Sequence, residues 1–299
     1  MLFLDKIHEK DYKKQNKHGI ICNSNLLHIF TLYTFILDKR WEIEMLAIER
    51  KNEILETLQK EQSVLVADLS QKYDVTEETI RRDLEKLEKE GYVKKTYGGA
   101  VLNTNRIIDL PLRIREKRNR KEKTVIATKV AELIEEGDSV MLDSSSTSLI
   151  IAQQLKKHKN LTVITNSVEV LIELSGNEGI KVISTGGILR DASLSLVGKS
   201  AREVLNRYNV DKAVISCKGV DIDKGVTDSN DREADVKRGM CSRAKMVILA
   251  ADNSKIGGVF FVKVTDMERG NILVTDKKLS SEYNEYFEQI GVQVITGED

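Results

Sequence analysis

Proline, cysteine and histidine are all scarce in this chain, with one, three and four residues among 299. Cys22, Cys217 and Cys241 are isolated and odd in number, which excludes a close-spaced zinc site or redox pair and fits free thiols in a reducing cytoplasm. Four histidines leave no His-rich metal centre, and no residue pattern calls for a metal or a cofactor. Charge of one sign is also missing. The 47 basic and 47 acidic side chains cancel, which excludes a uniformly basic nucleic-acid coat but leaves room for a local basic surface. No long apolar run exists either. The longest, Leu26 to Leu37, falls short of the roughly 20 residues that span a bilayer and contains His28. What is present, 40% hydrophobic and 31% charged residues, describes a folded globular protein with room for two domains.

The first 44 residues stand apart. Lys13, Lys14 and Lys17 precede the apolar run as in a signal peptide, but no small-residue cleavage site follows it. Codons for Lys39-Arg40-Trp41-Glu42 can spell a purine-rich stretch placed like a ribosome-binding site before Met45. The expectation is that Met45 is the true start and that residues 1–44 are a mis-assigned extension.

Residues 45–104 have the pattern of a small DNA-binding domain. Ile48, Ile54, Leu55 and Leu58 recur at helical spacing, and a second helix fits Val66 to Tyr73 with Ala67 and Leu69 inward. Asp74-Val75 makes a tight turn. Thr76 then suits an N-cap, Glu77 and Glu78 suit the positive end of the helix dipole, and Gly91 stops a third helix near Lys89. On that helix Ile80, Leu84 and Leu87 form the buried stripe. Glu78, Arg82, Glu85 and Lys89 face the other way, with Thr79 and Lys86 nearby and Arg81 on the flank. An outward arginine near the start of such a helix can reach a guanine edge. Tyr92 to Tyr97 alternates like a strand, and Gly98-Gly99 supplies a turn, so a basic wing carrying Lys94 and Lys95 follows the helix. The expected DNA contacts are Thr76, Glu78, Thr79, Arg81, Arg82, Lys86, Lys94 and Lys95. The string Val75-Thr76-Glu77-Glu78-Thr79-Ile80-Arg81-Arg82-Asp83-Leu84, with Leu87, Gly91 and Tyr97-Gly98-Gly99-Ala100, resembles the signature of the DeoR family of bacterial repressors. Tyr97 stands where that family often has histidine.

Residues 105–123 contain Pro111 and dense positive charge, which mark a basic linker. It is solvated, touches the DNA backbone or anchors a partner subunit. From residue 124 to 299 helices and short apolar strands alternate, the pattern of a mainly parallel sheet covered on both faces. The expected fold is thus α/β with a small α+β domain: an N-terminal winged helix-turn-helix, then a mainly parallel α/β domain. The strands run into small polar residues: Asp143-Ser144-Ser145-Ser146-Thr147, Thr165-Asn166-Ser167, Thr185-Gly186-Gly187, Lys218-Gly219 and Asp252-Asn253-Ser254-Lys255. Ligands of open α/β sheets bind beyond the carboxyl ends of strands, and hydroxyls, glycines and helix N-termini suit phosphate. Five such loops are expected to converge on one edge.

This region also resembles the DeoR-family sensor domain. The matching pieces include Asp143 to Thr147, Thr165-Asn166-Ser167, Gly186-Gly187 with Arg190 and Gly198, Gly219-Val220-Asp221, Gly225-Val226-Thr227, Glu233 with Lys237, and Asp252 to Lys255. The resemblance implies a fold shared with sugar-phosphate isomerases and an effector that is a phosphorylated sugar or polyol. By carry-over the Asp143–Thr147 loop holds the phosphate and Glu233, Lys237, Asp252 and Lys255 line the rest; with the strand-end loops the expected effector set is Asp143, Ser144, Ser145, Ser146, Thr147, Thr165, Asn166, Gly186, Gly187, Arg190, Lys218, Gly219, Glu233, Lys237, Asp252 and Lys255. Lys218 departs from the commoner family residue at its position. The function expected is a repressor of a carbohydrate-utilisation operon, bound to operator DNA as a cytoplasmic homodimer or homotetramer with no membrane partner. An activator with the same effector is one alternative. An isomerase is the other, with Glu233 or an aspartate as base and Lys237 or Lys255 stabilising an enediolate.

Overall fold

The computed structural model describes residues 47, 49–58, 60–103, 110–268 and 270–298. The expected extension at residues 1–44 lies outside the described residues. Of the unit that ends at residue 53, residues 47 and 49–53 are helical.

From residue 54 the chain opens on helix α1 (residues 54–58), whose Ile54, Leu55 and Leu58 are fully buried. It is followed by β1 (Ser63–Leu65), α2 (Val66–Tyr73), α3 (Glu77–Lys89), β2 (Val93–Thr96) and β3 (Gly99–Leu102). Asp74 adopts the left-handed conformation between α2 and α3, and Thr76 caps α3 by accepting from the Thr79 amide at 3.2 Å. Ile80, Leu84 and Leu87 of α3 pack on Ile54, Leu58 and Leu69 in one core. Two local expectations need correction. Ala67 is exposed, because the inward stripe of α2 runs through Val66 and Leu69. Gly99 is not part of the wing turn, which Tyr97 and Gly98 make; it sits in β3. A Cβ there would lie 1.8 Å from the Val64 carbonyl oxygen, so glycine is required for β1 to pair with β3. The three strands form an antiparallel sheet in the order β1-β3-β2, and β1 carried no recognisable pattern of its own.

The segment expected to be a linker holds a short helix, α4 (Leu112–Lys117), and the start of α5 (Arg120–Glu132). That second helix begins at Arg120, inside the segment expected to be linker, after Asn119 in the left-handed conformation. Ile114 joins the core of the winged domain, while the Leu112 amide donates to the Ala192 carbonyl at 3.0 Å.

The remaining elements are β4 (Ser139–Leu142), α6 (Ser146–Leu155), β5 (Leu161–Thr165), α7 (Val168–Leu174), β6 (Ile180–Ser184), β7 (Ile188–Arg190), β8 (Ser195–Val197), α8 (Lys199–Leu205) and β9 (Val210–Ile215). After these come β10 (Gly219–Asp221), β11 (Gly225–Asp228), α9 (Asp231–Cys241), β12 (Ala244–Ala250), a 3-10 turn (Asn253–Lys255), β13 (Val262–Thr265), β14 (Ile272–Thr275), α10 (Ser281–Gln289) and β15 (Gln293–Thr296). Seven strands form a parallel sheet in the order β15-β14-β12-β9-β4-β5-β6. Alternation along each strand feeds two cores: Met141, Ala213 and Ile215 pack on one face, Val140, Leu142 and Val214 on the other. Burial on both faces is why these strands read as unbroken apolar runs. Each fully buried Val, Leu or Ile contributes about 1.5–3 kcal/mol relative to exposure.

The strand order reverses beside β4. Chain progression runs outward through β5 and β6 on one side and through β9, β12, β14 and β15 on the other. The connections after β4 and β9 therefore leave the sheet in opposite directions, and a crevice opens between them at the carboxyl edge.

Candidate functional site

The outward face of α3 presents Glu77, Glu78, Arg81, Arg82, Glu85 and Lys86, all exposed. Arg81 pairs with Glu77 at 2.8 Å and Arg82 with Glu78 at 3.2 Å, one helical turn apart. Thr76 and Thr79 share a hydroxyl hydrogen bond at the start of the helix. Lys95 reaches back from the wing to Glu85 at 3.1 Å, and its amide donates to Glu88 at 2.9 Å. These contacts fix the wing against the helix. Lys94 and Lys95 are exposed on the same ribbon, and Tyr97 is fully exposed at its tip. All eight residues expected to meet DNA thus lie on α3, its cap and the wing.

A cavity of about 330 Å³ occupies the crevice between β4 and β9. Ser144, Ser145, Ser146 and Thr147 line it from the loop after β4. Ser216, Cys217 and Lys218 come from the loop after β9, and Asp252, Ser254 and Lys255 from the loop after β12. The Ser145 hydroxyl caps α6 by accepting from the Ser148 amide at 3.0 Å. Ser146 and Thr147 open the helix, so their amides are among the donors that a helix start leaves without an internal partner. Such a helix start favours an anion.

Beneath this floor lies a buried ion network. Lys237 of α9 donates to Asp228 at 2.6 Å and to the Ser216 carbonyl at 2.7 Å, and pairs with Asp143 at 3.2 Å. Asp143 also accepts from the Ser145 and Ser216 amides at 3.0 and 2.9 Å and from the Ser148 hydroxyl at 2.5 Å. Burial opposes its charge, but Lys237 and these donors outweigh burial and hold its carboxyl below the usual carboxylate range. For Lys237 burial opposes the charge too, and Asp228, Asp143 and Glu233 overcome it, raising the ammonium above its ordinary value. Glu233 accepts from Ser195 at 2.9 Å and Arg190 at 3.2 Å. Lys255 donates to the Ser216 hydroxyl at 2.8 Å and lies 3.6 Å from Asp252. Burial pushes the Cys217 thiol up to about 12, which suits a packing residue rather than a redox switch.

Nine of the expected effector residues line this cavity: Ser144, Ser145, Ser146, Thr147, Lys218, Glu233, Lys237, Asp252 and Lys255. Seven do not. Asp143 lies behind the floor, bracing the loops after β4 and β9. Thr165 and Asn166 follow β5, on the other side of β4; Thr165 accepts from the Ser167 amide and Asn166 donates to the Leu196 carbonyl. Gly186 and Gly187 lead into the β7–β8 hairpin, and Arg190 within it meets Glu233. Gly219 serves packing, since a Cβ there would lie 2.1 Å from the Gly258 carbonyl oxygen. Three of the five loops meet at the cavity, because only those beside and beyond the reversal of strand order face the crevice. Sequence reasoning missed Ser216, Asp228, Asn119 and Lys123, all of which line it. It also missed Tyr92, Leu102, Asn103 and Arg115 on the side of the winged domain. The only available signal was the cationic density of the segment around Pro111.

Asn119 and Lys123 tie that segment down. Asn119 donates to Asp252 at 3.2 Å and to Ser254 at 3.3 Å. The Lys123 ammonium donates to the Arg118 carbonyl at 2.6 Å and to the Arg115 carbonyl, capping the end of α4. Burial first, then Lys255, Arg115 and Arg118, lower it to about 7 against the opposing pull of Asp252.

Among the described residues no helix is long and apolar enough to cross a membrane. The DeoR-like helix-turn-helix domain matches residues 50–106, and the DeoR C terminal sensor domain matches residues 118–277. The chain is 43% identical to the uncharacterized HTH-type transcriptional regulator YulB of Bacillus subtilis over 79% of its own length and 91% of that protein's. It is 33% identical to the putative aga operon transcriptional repressor of Escherichia coli O157:H7, over 83% of this chain and 93% of the relative. It is 31% identical to the L-fucose operon activator of Haemophilus influenzae, over 81% and 97% respectively. These matches decide against an enzyme, and with a helix-turn-helix and a sensor domain matched in sequence order, this chain belongs to the DeoR family of DNA-binding transcriptional regulators.

Proposed function

We propose that this regulator represses a carbohydrate-utilisation operon and leaves its operator when a phosphorylated sugar or polyol fills the cavity between β4 and β9. The observation that carries the reading is the convergence there of the α6 N-terminus, its serine and threonine hydroxyls, Lys218 and Lys255 with Asp228, Glu233 and Asp252. The first group suits a phosphate, and the carboxylates accept hydrogen bonds from sugar hydroxyls. In this reading Thr76, Thr79, Lys86, Lys94 and Lys95 hold phosphates, Arg81 and Arg82 reach base edges, and Glu78 orients Arg82. The protein acts in the cytoplasm as a homodimer or homotetramer, so that two recognition helices meet two half-sites.

Winged and sensor domains share the cavity wall, since Tyr92, Leu102 and Asn103 line it beside Ser144 to Thr147. A ligand is therefore in a position to prefer one placement of the winged domain over another, and its differential affinity for the two sets the release. The experiment is fluorescence anisotropy on DNA from upstream of the gene itself, at fixed salt, with a panel of sugar phosphates. Specific binding released by one compound is expected. Specific binding that no compound alters overturns the effector assignment. A second reading, activation, is favoured by the likeness to the L-fucose operon activator; a promoter reporter that falls when the gene is deleted would establish it.

A further inference from the structure

The charge of the cavity is unbalanced on the side of the winged domain. Six basic side chains line it, namely Arg115, Arg118, Lys123, Lys218, Lys237 and Lys255, against the three carboxylates Asp228, Glu233 and Asp252, with Asp143 behind the floor as a second partner of Lys237. Each carboxylate is already engaged: Asp228 by Lys237, Asp252 by Lys255 and Glu233 by Arg190. Arg115 has no carboxylate partner among the described residues. Its Nε donates to the Leu110 carbonyl at 2.9 Å, while its Nη2 is buried and has no hydrogen-bond partner among the described residues. A guanidinium stays charged at every accessible pH, so this buried N–H cannot be relieved by losing a proton. An unmet donor on a charged group carries the full desolvation penalty until an acceptor arrives. The geometry that would satisfy it is a planar or tetrahedral oxyanion, which a guanidinium binds through paired N–H groups.

We propose that the effector carries two anionic groups: a phosphate at the start of α6, and a second phosphate or a carboxylate bound by Arg115, with Arg118 beside it. This rests on the effector reading above and narrows it to sugar bisphosphates or phosphorylated sugar acids. Ile114, the neighbour of Arg115, belongs to the core of the winged domain, so the second anion pulls directly on the element that joins the two domains.

The test is calorimetry on the full chain with matched pairs: fructose 6-phosphate against fructose 1,6-bisphosphate, ribose 5-phosphate against ribulose 1,5-bisphosphate, and glucose 6-phosphate against 6-phosphogluconate. At least one two-anion member is expected to bind ten-fold or more tightly than its mate. Arg115→Gln should erase that advantage while leaving the single phosphate's affinity within about two-fold, and Arg115→Lys should keep part of it. Preference for a bisphosphate identifies phosphate as the second group, and preference for the gluconate identifies a carboxylate. Equal affinity within every pair, or an equal loss of both members in Arg115→Gln, overturns the second site but leaves the single-phosphate effector standing. Failure of all six compounds to bind overturns both. If Arg115→Gln does not fold, Arg118→Gln is held to the criterion of a reduced preference within the pair.

Discussion

Arg81 and Arg82 stand on the DNA-reading helix already paired with Glu77 and Glu78. Exposed pairs of this kind contribute about 0–1 kcal/mol, whereas a bidentate contact to a base edge discriminates by about 1–3 kcal/mol. Exchanging a glutamate for a guanine is therefore favourable, and the intrahelical pair keeps the guanidinium extended until DNA arrives. Arg82→Ala is expected to weaken operator binding by about 1–3 kcal/mol and to relax sequence preference at one base pair. Equal losses on operator and scrambled DNA in an anisotropy titration would make it a phosphate contact. Asp143 belongs to the same scale but to a different physics. It is fully buried against Lys237, so Asp143→Ala removes one of the two carboxylates that neutralise a buried ammonium. A loss on the order of 3 kcal/mol is expected in denaturant unfolding. A variant with unchanged stability that fails only in effector binding would place Asp143 at the ligand instead of behind it.

At the scale of elements, the winged sheet depends on a glycine with no room for a side chain. Gly99→Ala would drive a methyl group into the Val64 carbonyl, so β1 would separate from β3 and Lys94 and Lys95 would lose their backing. The expected outcome is a lower unfolding midpoint together with loss of operator binding. A folded, fully binding variant by circular dichroism and anisotropy would show that the wing does not need β1. The cap on α6 is a gentler case. Ser145→Ala removes the acceptor for the Ser148 amide and is expected to cost about 1 kcal/mol. It should also lower effector affinity in calorimetry, because the same cap shapes the donors at the cavity floor. The helix Glu77–Lys89 was legible in sequence from period, cap and stop signals. The β7–β8 and β10–β11 hairpins were not, since three- and four-residue strands offer too few positions for a period to show.

At the scale of the whole molecule, the cavity lined by the winged domain, the α4–α5 segment and the sheet domain contains one buried lysine of α5. Lys123 is lowered to about 7, from an ordinary value of 10.5 that holds in the unfolded chain. The folded protein thus binds its proton less tightly than the unfolded one, and its contribution to stability rises as pH climbs from about 7 towards 10.5. An anion in the cavity reverses the preference by favouring the charged ammonium. Between pH 7 and 9, where a phosphate monoester keeps its charge, effector binding is expected to take up protons and to weaken as pH rises. Calorimetry in buffers of different ionisation enthalpy reads this directly. Lys123→Met should flatten the dependence, and an unaltered slope in that variant would assign the proton elsewhere.

The sequence by itself determined the elements and their chemistry. Apolar runs buried on both faces announced parallel strands, and Thr76, Gly91 and the stripe Ile80, Leu84 and Leu87 announced the recognition helix. The small polar residues after each strand announced where ligand chemistry is possible. These signals are local, because periods, caps and stops act within one or two turns of chain. Tertiary structure alone decided which loops share a cavity. Strand order places the loops after β4, β9 and β12 at the cavity and leaves those after β5 and β6 behind its wall, where Asn166 meets Ser144 and Arg190 meets Glu233, and no local pattern encodes that order. It also turned Asp143 from a pocket residue into a brace, and it brought Arg115, Asn119 and Lys123 from an apparently solvated basic stretch to the wall of the site. Charge density in a sequence marks cations, but only packing determines which of them lose water and meet a ligand.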